Sequence, residues 1–90
     1  KPKAPHMPVS VLIVDDEAVI RDTLAEFLTG EGFAVATAAS GEDALKQAAA
    51  RAFDVCLCDL HLPGLDGLEV LGRLATASPD TAVVLVTAYG

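Results

Sequence analysis

Four short apolar runs, each separated from the next by a stretch of helical periodicity, constrain this chain more than any other feature. "VSVLIV" (9–14), "AVATA" (34–38), "FDVCLCD" (53–59) and "AVVLV" (82–86) are too short for helices and rich in β-branched residues, so they read as strands. Between the first two, "AVIRDTLAEFLTGEGF" puts Ile20, Leu24, Phe27 and Leu28 on one side, with Arg21, Asp22 and Glu26 on the other. Gly30 and Gly32 end that helix. "GEDALKQAAA" follows Ser40, which with Asp43 resembles a capping box, and packs on Ala44, Leu45 and Ala48. "GLEVLGRLATA" follows the capping residue Asp66, with Leu68, Leu71 and Leu74 along one face, and Pro79 marks its end. Strands alternating with helices in this way form a doubly wound parallel α/β sheet with right-handed crossovers. The strand order expected is 2-1-3-4.

Composition narrows the function classes. At 90 residues and 52% apolar, the chain suffices for one domain. It has no apolar run of membrane-spanning length and no apolar signal segment, so a cytoplasmic protein is expected. Thirteen acidic residues against six basic ones give a net charge of −7, which opposes direct binding to a phosphate backbone. Cys56 and Cys58 alternate along one strand and read as buried core thiols rather than a disulfide or, with only His6 and His61 to assist, a structural metal site. Gly64 and Gly67 read as turn and helix-start residues, and no glycine-rich nucleotide loop is present. Residues 1–8 are expected to be a flexible lead and 9–90 the domain.

The first strand runs directly into acids in "VLIVDDE". In a parallel sheet all strand C-termini gather at one edge, and ligands bind where the strand order reverses. Asp15 and Asp16 leave the first strand at that edge, Asp59 leaves the third and Thr87 the fourth. One of Asp16 and Glu17 could serve instead to cap the following helix. Three carboxylates converging from two strands, with no basic residue read as beside them, call for a cation. Oxygen donors alone suit a hard ion such as Mg2+, which keeps open positions for a phosphate oxygen. A carboxylate there can attack a phosphoryl group, with the Thr87 hydroxyl donating to its oxygens and the small Ala88 leaving the approach open.

At these residues the sequence resembles the receiver domain of bacterial two-component response regulators. "VLIVDDE" is similar to the family's acidic pair, "CDLHLPGLDGLEVL" to the segment around its phospho-acceptor, and "VLVTAYG" to the strand that ends in its switch hydroxyl. The fold implied is flavodoxin-like. The resemblance implies Asp59 as phospho-acceptor and Thr87 as switch hydroxyl. It also implies Mg2+ held by Asp16, Asp59 and the backbone carbonyl of His61, with Asp15 acting through water. A sensor histidine kinase would be the donor, and an output domain or partner protein the recipient of the signal. The "DxHLPGLDG" and "TAYG" wording is similar to receivers on transcriptional activators. No external substrate would be turned over, so the chain is not expected to be an enzyme. The family's fifth strand, with its Lys, and fifth helix have no counterpart here, and Lys1 and Pro2 are not assigned that role. The domain is therefore read as incomplete after the fourth strand, and self-association through that strand or the uncovered face of the first helix is expected. Tyr89 reads as a packing or partner contact or, on a loop at a chain end, equally as a disordered residue. Two other functions compete: a receiver-like interaction module that is never phosphorylated, and an Asp-nucleophile phosphatase. The latter wants a second Asp where His61 stands.

Overall fold

The computed structural model describes residues 7–87. Strands β1 (Ser10–Val14), β2 (Ala34–Ala38), β3 (Val55–Asp59) and β4 (Ala82–Val86) alternate with helices α1 (Ala18–Gly30), α2 (Gly41–Ala50) and α3 (Gly67–Ala77). The sheet is parallel throughout and ordered β2-β1-β3-β4, as the alternation predicts.

β1 is buried along its whole length because it lies inside the sheet with helices over both faces. Its one polar residue, Ser10, is satisfied by Asp54: the Ser10 N–H and hydroxyl both donate to Asp54 Oδ2, at 2.8 and 3.1 Å, and the Asp54 N–H donates back to Ser10 Oγ at 2.9 Å. This pairing joins the N-terminal ends of β1 and β3, and the ladder from Val11↔Val55 to Val14↔Cys58 brings their C-terminal ends out together. A slip of one residue would exchange the two faces of the strand, so the register is strongly specified.

The two faces are covered unequally. On one, α2 and α3 pack over Leu12, Val14, Cys56 and Cys58, with Ala44, Val70 and Leu74 completing the core. On the other, α1 lies chiefly against β2 and β1. A hollow of about 400 Å³ remains beside it, lined chiefly by Ile13, Ile20, Leu24, Leu57 and Val86.

Phe27 is 63% exposed, as the uncovered face expected of the first helix implies. One side-chain expectation, on α3, is corrected. On α3 the buried positions are Gly67, Val70 and Leu74, while Leu68 is 60% exposed. The helix is rotated so that its glycine, rather than its first leucine, meets the sheet. Ser40 and Asp66 cap as read, accepting from the N–H groups of Asp43 and Glu69 at 3.1 and 3.0 Å. Within the lead read over residues 1–8, Met7 and Pro8 are exposed. Residues 1–6, including Lys1, Pro2 and His6, lie outside the described residues, as do Ala88 and Tyr89.

Candidate functional site

β1 and β3 are neighbours whose connections run to opposite sides of the sheet, so a crevice opens between their C-terminal ends. Asp15 follows β1, and its N–H donates to the carbonyl of Ala38 on β2 at 3.1 Å. Asp59, the last residue of β3, pairs in register with Val86, and the next N–H, of Leu60, donates to the Val86 carbonyl at 2.8 Å. Thr87 is the next residue along and exposed, one step beyond the partner of Asp59.

The structure brings Asp15, Asp16 and Asp59 together: one carboxylate oxygen from each lies within 4.8 Å of the others. They differ in setting, with Asp15 only 8% exposed, Asp59 half-buried and Asp16 exposed. Two unit charges at such a separation repel by about 3.5 kcal/mol at an effective dielectric of 20. The negative field extends inward to Cys58. Burial pushes its thiol up to about 11, and Asp59, Asp15 and Asp66 add to the rise, because a thiolate there would face like charge.

Local bonds hold the acids at the strand ends. Asp15 Oδ1 accepts from the Glu17 N–H at 2.9 Å, and Asp59 Oδ1 accepts from the His61 N–H at 3.1 Å. Glu17 stands at the N-cap of α1 without a side-chain capping bond. The helix cap weighed for Asp16 or Glu17 is thus not made at the N-cap residue; the side-chain bond at this turn comes from Asp15, whose position at the strand end lets it reach two residues ahead.

Two residues at the site carry more than their sequence pattern suggested. The helical pattern puts Arg21 on the solvent-facing side of α1, but only 19% of its side chain is exposed, and Nη1 donates to the backbone carbonyl of Asp15 at 3.0 Å. A basic group does stand beside the acids, bound to the backbone of their loop. Its position one helical turn beyond Glu17 was the available signal. Gly67 seats the start of α3 directly on the Asp59–Leu60 peptide, where an added Cβ would lie 2.5 Å from the Asp59 carbonyl oxygen. Nothing in a helix-start glycine foretells that contact.

The model of the response regulator receiver domain family matches residues 11–90. The chain belongs to this family. The transcriptional regulatory protein TcrX of Mycobacterium tuberculosis is 38% identical over 96% of this chain and 37% of its own length. Sporulation initiation phosphotransferase F of Bacillus subtilis is 38% identical over 93% of this chain and 68% of its own. Among solved structures, the response regulator TrrA of Thermotoga maritima in complex with Mg2+ and BeF superposes with a TM-score of 0.86 at 40% identity, covering 91% of this chain and 71% of that one. TrrA also matches in a complex with the histidine kinase ThkA, with a TM-score of 0.84. This receiver domain thus spans little more than a third of the length of TcrX.

The donor set of this receiver domain fits a hard divalent ion: three carboxylates of graded exposure, oxygen donors only, at a crevice that stays open on the Asp16 side. Among the described residues no helix is long and apolar enough to cross a membrane.

Proposed function

We propose that this receiver domain accepts a phosphoryl group from a histidine kinase onto Asp59, with Mg2+ held by Asp16, Asp59 and the backbone carbonyl of His61, and by Asp15 through water. The convergence of three carboxylates at the switch point between β1 and β3 carries this reading. Bound there, Mg2+ supplies positive charge that offsets the carboxylates and draws the phosphoryl oxygens.

The chain's own residues do the rest. The Asp59 carboxylate is held by the His61 N–H through Oδ1, which orients it at the strand end. One of its oxygens attacks phosphorus, and the bond from phosphorus to the donor imidazole nitrogen breaks, its electron pair leaving with that nitrogen. No oxidation or reduction is involved. The Thr87 hydroxyl, just past the end of the neighbouring strand, donates to a phosphoryl oxygen and is thereby drawn toward Asp59, and that displacement beyond β4 is the signal. The recipient is an output domain or a partner protein in the cytoplasm, in keeping with the transcriptional regulators among the relatives. The domain turns over no external substrate, and its acidic charge leaves nucleic-acid contacts to the output side. An Asp-nucleophile phosphatase is disfavoured because His61 stands two residues after Asp59.

The test is to incubate the protein with Mg2+ and a small phosphodonor such as acetyl phosphate and measure its intact mass. One phosphoryl adduct is expected, lost in Asp59→Asn and on omission of Mg2+. No adduct with the small donor or with a phosphorylated histidine kinase would leave the unphosphorylated interaction module as the better reading.

A further inference from the structure

The β1–α1 junction carries two of the three acids, yet it lacks the usual device that secures such a junction, a side-chain cap on the helix. Two other bonds replace it. One is the Asp15 side chain on the Glu17 N–H, and the other is Arg21 Nη1 on the Asp15 carbonyl, at 3.0 Å. Asp15 is nearly buried, and its carbonyl lies just past the end of the β1–β2 ladder, so it needs a donor from elsewhere. Arg21 reaches back from α1 to supply it, with its side chain largely covered and its Nε 3.8 Å from Asp22 Oδ1.

We infer that Arg21 is a positioning residue for the metal-binding acids: by holding the Asp15 carbonyl it fixes the peptide from which both Asp15 and Asp16 project. The inference rests on reading the acidic cluster as a Mg2+ site. It has a consequence opposite in sign to simple electrostatics. A cation beside three carboxylates lowers the local affinity for Mg2+, so removing it should tighten binding if charge were its only contribution. If Arg21 orients the ligands, removing it weakens binding. Loss of a group that orients metal ligands costs about 10- to 100-fold in affinity.

The experiment compares Mg2+ binding by calorimetry in the wild-type chain, Arg21→Met and Arg21→Lys. Arg73→Met, which removes an exposed cation on α3, serves as a charge-matched control. Amide exchange at Glu17 is followed without Mg2+. Arg21→Met is expected to bind about 10-fold more weakly, to exchange faster at Glu17 and to remain folded by circular dichroism. Arg21→Lys, which keeps a donor and the charge, is expected to recover part of both; should Arg21→Met fail to fold, Arg21→Lys carries the comparison. Equal or tighter binding in the Arg21 variants, with unchanged exchange at Glu17, overturns the inference while leaving the metal site standing. A wild-type chain that binds no Mg2+ overturns the metal reading itself and this inference with it.

Discussion

Two glycines on one helix should respond to the same substitution with opposite sign. Gly67 begins α3 against the peptide that follows the acceptor aspartate, and a methyl there would lie 2.5 Å from the Asp59 carbonyl oxygen and 2.9 Å from Leu60 Cα. Ordinary contact begins at about 3.4 Å, so the helix or the peptide must move by about 0.9 Å. Both obstacles are backbone and cannot rotate away. Overpacking of this kind costs about 1–3 kcal/mol. Gly72 lies five residues on, within the helix and exposed, and a Cβ there meets nothing within 4 Å. Ala at such a site stabilises a helix by about 0.8–1.0 kcal/mol relative to Gly. In a domain of this size 1 kcal/mol corresponds to about 4–8 °C in Tm, so Gly67→Ala should lower Tm by at least about 4 °C and Gly72→Ala raise it by about 3–8 °C. Urea unfolding and thermal scans monitored by circular dichroism read both. Gly67→Ala should also weaken Mg2+ binding, since the displaced peptide carries Asp59. A Gly67→Ala variant as stable as wild type would refute the close approach of α3 to the acceptor strand, and a destabilised Gly72→Ala would refute the open surface at Gly72.

Asp16→Asn and Asp59→Asn should each weaken Mg2+ binding severely in calorimetry, and unchanged affinity in both would remove the site. Cys56 is fully buried; its thiol, ordinarily near 9.0, is pushed up to about 12 by burial and then by the neighbouring Cys58. Above pH 9.0 the unfolded chain therefore loses a proton that the folded chain keeps, so stability is full below that pH and falls as pH rises toward 12. The slope for one thiol is about 1.4 kcal/mol per pH unit, and urea titrations of Cys56→Ala should show it reduced by that amount. The open edge of β4, with Val84 and Val86 46% and 44% exposed, should let this chain self-associate in a light-scattering concentration series. Val84→Lys should suppress it, and a wild-type monomer at high micromolar concentration would contradict the expectation.

The order of the elements was legible because each run carries its own period: an unbroken apolar run from Val11 to Val14 in β1, paired cysteines in β3, and helical spacing with a cap before α2 and α3. From that alternation the parallel sheet follows, and with it the meeting of Asp15, Asp16 and Asp59, since the strands of a parallel sheet all finish at one edge. What the sequence by itself determined was thus everything that depends on local periodicity and on the direction of the strands. Tertiary structure decided the rest. Whether Leu68 or Gly67 meets the sheet depends on how closely α3 approaches the Asp59–Leu60 peptide, a distance between segments that no periodicity contains. Phe27 fits the helical stripe of α1 and is exposed, because a stripe marks a face able to be buried and only a neighbour on the sheet can bury it. Arg21 looked like a solvent-facing charge, and the burial of the Asp15 carbonyl is what turned it inward. An arginine has a long apolar stem and five donors, so its partner is chosen by whichever acceptor the fold leaves within reach.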